Sequence, residues 1–235
     1  MKDIFYSLRI HVNEYILATL LCMTMAVNTT VAGDIFGIVQ EMKSPSVRKT
    51  PQSPFARARS VEEIIPHAES TDSTLFAVVY LEEHKLLIPM LDIDISPVVD
   101  QINMTIIPHI LPIQVGTLVN FVNSDEVYHN IFSLSPPRKF DLGRYGKGGK
   151  KTIKFKKPGE VRVFCDIHPH MNSVILVLPN NYFASVYADG RFIIKDVPEG
   201  KYKIHAWHET YPESIRTLSV PQTGEVEVVM MLGER

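Results

Sequence analysis

Apolar positions along the chain fall in short runs separated by turn residues. No stretch carries a 3.6-residue apolar stripe long enough for a major helix. Gly33–Val39 reads as a short strand, and Leu75–Leu81, a β-branched and aromatic run, as another. Glu82–Asp100 is mixed and broken by Pro89 and Pro97. From Gln101 onward the runs NMTIIP, HILPIQV, TLVNFVN, HNIFSL, KTIKFK, VRVFC and NSVILVL alternate with turn signals at Gly116, Gly143, Gly146, Gly148, Gly149 and Pro158-Gly159. Strands at this spacing predict an all-β fold, a sandwich or Greek-key barrel. Residues 40–74 are rich in Ser, Thr, Pro, Lys and Arg with no sustained period, which predicts a long loop or flexible link. After Pro179 the texture changes. Tyr182–Ala188, Asp189-Gly190 and Arg191–Lys195 predict a hairpin with a type I′ turn, because Asp-Gly accepts the positive φ that such a turn needs. Val197–Gly200 is a further turn, and Lys201–Trp207 and Glu225–Met231 are further strands. This C-terminal block is too small to be a robust domain alone.

The start of the chain changes the picture of where the protein works. Tyr15–Val27 is an apolar run of 13 residues, whereas a membrane-spanning helix needs about 20. The run fits the core of a signal peptide, with small residues at Thr30-Val31-Ala32 for cleavage near Ala32. Against this, the preceding segment sets Lys2 and Arg9 against Asp3 and Glu14 and so carries no net side-chain charge. Cys22 follows Leu20 and Leu21, not the small residues of a lipid-attachment site. The expectation is an N-terminal signal helix over 1–32, a periplasmic or otherwise exported product, and no stable membrane span after cleavage.

Composition narrows the classes. With 235 residues, 45% hydrophobic and 21% charged, the chain is neither disordered throughout nor fibrous. A net charge of −2 argues against nucleic acid as a partner. Two cysteines exclude a disulfide scaffold. Once the leader is removed, Cys165 is the remaining thiol. Outside the cytosol thiols oxidise, so a lone one is a liability unless buried or bound to metal.

Its neighbours favour metal. Val161, Val163 and Cys165 share parity on a strand, so the thiol points inward with the valines. Pro169 ends the ladder, and the two-residue gap to His168 lets thiolate and imidazole converge on one ion. Met171 lies three residues further on and can return to the same point. His129, which follows the turn Asn123-Ser124-Asp125 and opens the strand NIFSL, is the best further donor. A thiolate, two imidazoles and a weak thioether form the blue-copper set. Zinc is the weaker alternative, since a Cys/His₂ set suits it but the thioether adds nothing. Taken singly, Cys165 would be a small core residue, His168 a loop histidine and Met171 core filler; their joint occurrence is what argues against that. His170 sits between two proposed ligands and could compete for the ion, but its prolyl neighbour favours an outward position. His109 could be a supporting group near the site. His205 and His208 fall on opposite strand faces, which argues against a second metal pair, and Trp207 is assigned to packing.

Residues from about 100 to 178, through IIPHILPIQVGTLVNFVNSDEVYHN and GEVRVFCDIHPHM, resemble the cupredoxins: plastocyanin, pseudoazurin and amicyanin. The Cys-x-x-His-Pro-x-Met spacing is similar to the short ligand loop of amicyanin. The stretch HNIFSL…KFDLGRY…VRVFC also resembles exported proteins labelled methylamine-utilisation-like. The resemblance implies one type 1 copper ion held by His129, Cys165, His168 and axial Met171, with Asn130 tying the two ligand loops together by hydrogen bonds. The flanks, GDIFGIV, FAVVYLEE and DGRFIIKDVPEGKYKIHAWHE, resemble the carboxypeptidase-regulatory-like β-sandwich. Its strands are split, which predicts that the cupredoxin-like stretch is inserted into, or packed between, the halves of one small sandwich. The expected organisation is a signal peptide at 1–32, the first part of an accessory sandwich at 33–90, a cupredoxin Greek-key sandwich at 95–179, and the remainder of the accessory sandwich at 180–235.

Charge points to a partner. Between Arg138 and Lys157 there are nine Lys or Arg residues and one acid, Asp141. This is a candidate docking face for an acidic redox partner, alongside the edge of His168; a solvated Gly/Lys loop would look the same. The expected function is electron transfer by an exported copper carrier that is not an enzyme. The alternatives are a non-redox copper buffer or a metal-free structural β-module.

Overall fold

The computed structural model describes residues 32–41, 77–82 and 96–233. The signal-helix reading, and most of the 40–74 and 82–95 segments, lie outside the described residues. Ala32 already opens the first strand. Sixteen strands follow one another, with no helix among the described residues: β1 Ala32–Glu41, β2 Ala77–Leu81, β3 Val98–Ile102, β4 Thr105–Ile107, β5 Ile110–Gln114, β6 Leu118–Asn123, β7 His129–Ser133, β8 Phe140–Tyr145, β9 Lys150–Lys154, β10 Gly159–Cys165, β11 Asn172–Leu178, β12 Phe183–Ser185, β13 Arg191–Pro198, β14 Gly200–His208, β15 Ser214–Val220 and β16 Glu225–Leu232. No helix among these residues is long and apolar enough to cross a membrane.

The strands build two β-sandwiches. In the first, the sheet β4-β3-β6-β9 faces the sheet β5-β11-β10-β7-β8. Alternate side chains of both sheets fill the space between them, among them Val99, Phe121, Ile131, Phe155, Val161, Val163 and Ile175. Cys165 and Met171 belong to this same core. Phe121 and Phe155 are fully buried; truncating such a phenylalanine to alanine costs about 3–5 kcal/mol.

The second sandwich is discontinuous. Its sheets are β13-β1-β16 and β12-β2-β14-β15. β1 runs antiparallel to β13 and parallel to β16, from Asp34 opposite Glu225 to Glu41 opposite Leu232. β2 lies between β12 and β14. The strands that precede the first sandwich therefore complete the C-terminal block, which could not close a core without them. Ile35, Val79, Leu81, Val197, Ile204 and Met230 are among the residues of that core. Between the two sandwiches, Leu176 and Leu178 on the outer face of β11 pack with Val78, flanked by Tyr80, Ile110, Phe183 and Trp207.

The Asp189-Gly190 hairpin does not form. β12 pairs with β2 and β13 with β1, so the two arms enter different sheets. A tight turn is present, with the Gly190 amide donating to Tyr187 O at 2.8 Å, but positive φ falls on Gly190 (85°) and not on Asp189. The reason is tertiary. Val39 of β1 donates its amide to Gly190 O at 2.8 Å, and the approach is so close that a Cβ on Gly190 would stand 2.6 Å from Val39 O.

Candidate metal centre

β10 presents Val161, Val163 and Cys165 to the core and Arg162 and Phe164 outward, the alternation its sequence calls for. Beyond the last ladder pair, Phe164 opposite Asn172, the chain closes a short loop. The Cys165 amide donates to Met171 O (3.1 Å) and the Met171 amide to His168 O (3.0 Å). His168 is thereby folded back over the thiol.

His129 opens β7, opposite Tyr145 of β8, and is fully buried. The chain leading to it is held by Asn123. That buried side chain donates to Val127 O and Tyr145 O, both at 2.9 Å, and accepts from the Asp125 amide at 2.9 Å. Asp125 reaches back to the ligand strand: its Oδ2 lies 2.8 Å from His129 Nε2.

Three donors converge. Cys165 Sγ stands 3.8 Å from His129 Nδ1 and 3.8 Å from His168 Nδ1, and the two nitrogens are 3.1 Å apart. They come from two loops brought together at one end of the sandwich. At ordinary lengths of about 2.0–2.1 Å to nitrogen and about 2.3 Å to sulfur, one ion serving all three would subtend about 95–105° between the nitrogens and about 120° between the sulfur and each nitrogen. Those angles suit a trigonal or tetrahedral centre, so the residues fit a single ion of the kind that thiolate and imidazole bind.

Met171 is 1% exposed and sits in the loop that carries His168. Asn130 links the two ligand loops through its backbone, the Asp166 amide donating to its carbonyl at 3.1 Å. Its side-chain Oδ1 is buried without a hydrogen-bond partner. His170 is exposed, its ring centroid 6.2 Å from that of His168, and it stands outside the donor group. His109 is not directed at the donors: its Nε2 lies 2.8 Å from Glu209 of the other sandwich, and Glu209 also accepts from Arg162 at 3.2 Å. His205 is buried in the accessory sandwich, stacked on Tyr80 at 4.8 Å. His208 Nδ1 accepts from the Thr210 amide at 3.1 Å.

Sequence reasoning treated Asn123-Ser124-Asp125 as a turn and missed what its side chains hold. The available signal was an acid four residues before a histidine at a strand entry. Burial works against ionisation of Asp125, but the amides of Met104 and Asn103 and the His129 ring outweigh it and keep the carboxyl below its usual range. Burial pushes the Tyr145 phenol up to about 12, so it stands beside His129 as a neutral group, taking a hydrogen bond from Gln101 Nε2 at 2.5 Å.

No protein-family model and no curated protein matches the chain. Solved structures do. The Cu-containing nitrite reductase (NirK) from Thermus scotoductus SA-01 is 32% identical over 35% of this chain and 22% of its own, with a TM-score of 0.34. The chain thus spans about a fifth of that enzyme's length. A point mutant of amicyanin with Cu(I) is 21% identical over 35% of this chain and 81% of its own, TM-score 0.33. The purple cupredoxin from Nitrosopumilus maritimus is 24% identical over 35% of this chain and 99% of its own, TM-score 0.32.

Proposed function

We propose that the chain is an exported type 1 copper protein that carries single electrons, with His129, Cys165 and His168 as the strong ligands and Met171 as the axial one. The observation that carries the reading is the meeting of one sulfur and two imidazole nitrogens, within 3.8 Å of one another, from stretches 36 residues apart. A copper ion bound there supplies a one-electron couple: thiolate and thioether favour Cu(I), and imidazole accepts both states.

The residues around the donors do the rest. Val161, Val163, Ile131 and Met171 exclude water from the thiol side. The hydrogen bonds of the Cys165–Met171 loop and of Asn123 fix the donors on rigid strands, so little has to move when charge changes. With Met171 as a fourth donor beside His129, Cys165 and His168, no open position would be left for substrate, which favours a carrier over an enzyme. His168 is half-buried, and its ring is the group of the site nearest the surface. Lys139, Arg144, Lys147, Lys150, Lys151, Lys154, Lys156 and Lys157 are exposed along β8, β9 and their flanks, a surface suited to an acidic redox partner.

The test is Cu(II) titration of the full metal-free chain. An intense visible charge-transfer band is expected, abolished in Cys165→Ser, with fast and reversible reduction. Slow or irreversible reduction would mark a copper buffer. Tighter binding of Zn(II), with no visible band from Cu(II), would overturn the reading.

A further inference from the structure

Asp125 does more than turn the chain. Both carboxylate oxygens are fixed: Oδ1 accepts the Asn103 amide at 2.6 Å, and Oδ2 accepts the Met104 amide at 2.9 Å while lying 2.8 Å from His129 Nε2. Asn103 and Met104 form the two-residue turn between β3 and β4, both with positive φ (52° and 55°). That backbone points two consecutive amides at one carboxylate. Three contacts on a side chain only 11% exposed leave it no freedom to swing away. The imidazole it meets is itself fully buried, and its other nitrogen faces Cys165 and His168.

We propose that Asp125 is the positioning residue of the metal centre: it holds the His129 proton on Nε2, aims the Nδ1 lone pair at the shared donor point, and adds a fixed negative charge that favours the higher oxidation state of a bound ion. The clause about oxidation state rests on the copper reading above; the tautomer does not. A carboxylate behind a ligating histidine makes the imidazole a stronger donor, and removal of such a partner typically lowers metal affinity about 10–100-fold.

The experiment has a metal-free arm and a copper arm, on the full chain with Asp125→Ala and Asp125→Asn. Imidazole nitrogen NMR of the metal-free wild type should show His129 protonated on Nε2; the alanine variant should lose that preference. Cu(II) affinity should fall about 10–100-fold in the alanine variant, with Cu(I) affinity less affected. Each tenfold loss of Cu(II) over Cu(I) preference reads as a rise of about 59 mV in midpoint potential. The asparagine variant keeps one oxygen, for one of the two turn amides, and removes the charge, so its potential should rise where circular dichroism shows the fold retained. An unchanged tautomer in the alanine variant, or an unchanged potential in the asparagine variant, would reduce Asp125 to a turn former. Failure of the wild type to bind copper would sink the copper reading and leave the NMR arm to decide the tautomer.

Discussion

Asn123→Ala should disable the loop that delivers His129 without touching any proposed ligand. The wild-type carboxamide donates to Val127 O and Tyr145 O and accepts from the Asp125 amide, each at 2.9 Å. Alanine leaves all three backbone groups without that partner. The Tyr145 bond is buried, and a buried group left unsatisfied costs about 1–3 kcal/mol. The other two are partly buried and regain water, so each loses about 0.5–1 kcal/mol, a net hydrogen bond or less. The sum is about 3 kcal/mol, which for a chain of this size lowers Tm by about 6–12 °C. Asn123→Asp is isosteric but should be worse than alanine: one oxygen still accepts the Asp125 amide, while the other meets the carbonyls of Tyr145 and Val127. The assay is denaturation of the metal-free chain followed by far-ultraviolet circular dichroism, with Trp207, the single tryptophan, as a separate reporter. Trp207 lies on β14 at the contact between the sandwiches. Its transition should shift less than that of the ligand-bearing sandwich if the two unfold separately. An alanine cost below about 1 kcal/mol, or an aspartate milder than alanine, would refute the hydrogen-bond reasoning.

Two further outcomes test the accessory sandwich. His205 sits between Glu213 (3.3 Å) and Glu82 (3.5 Å), approaches that are electrostatic rather than hydrogen-bonded; burial opposes its charge, but Glu213 and then Glu82 raise its pKa, while Glu213, opposed by burial, is lowered by His205 and Tyr80. A raised histidine stabilises fully below its unfolded pKa near 6.5 and loses that as pH climbs through the folded value, and a lowered glutamate stabilises above about 4.5 and loses that as pH falls; the stability difference between wild type and His205→Gln should therefore peak at about pH 4.5–6.5, and a difference that grows above pH 7.5 would contradict the assignment. Gly190→Ala combines a left-handed φ of 85° with a Cβ 2.6 Å from Val39 O, whereas Gly143→Ala has φ 65° and open space. Both lose about 1–2 kcal/mol to backbone strain, so chemical denaturation should show Gly190→Ala as the clearly costlier of the two, and equal losses would mean that β1 yields freely.

The ligand strand was legible because its information is local. Parity puts Cys165 with Val161 and Val163, and the runs that became β4–β7 and β9–β11 are each short, apolar and bounded by turn residues of their own. β3, β8 and β15 carry no such mark. β3 places the polar Gln101 in the core, where it hydrogen-bonds Tyr145 and Val122, and β15 is an edge strand whose Ile215 is half exposed. The Asp189-Gly190 hairpin failed for a related reason: its turn chemistry is real, but β1 and β2, from far upstream, compete for both arms and win.

The same distinction separates donors from the residues that position them. A thiol, an imidazole and a thioether declare their chemistry by type and spacing. Asp125 meets amides of the β3–β4 turn and a ring on β7, and Glu209 meets His109 and Arg162 of the other sandwich; the local trace of the first is only an acid four residues before a strand-entry histidine, and the second leaves none. One non-local feature did leave a readable trace. NSVILVL is a continuous apolar run, the pattern of a strand covered on both faces, and β11 is buried at six consecutive positions from Ser173 to Leu178. Its inner face meets the core that holds Cys165 and Met171, and its outer face meets Val78 of the accessory sandwich. A strand of a lone two-sheet sandwich would show alternation instead; the run is apolar on both faces because the accessory sandwich lays a second layer over the outer face of β11 at Leu176 and Leu178.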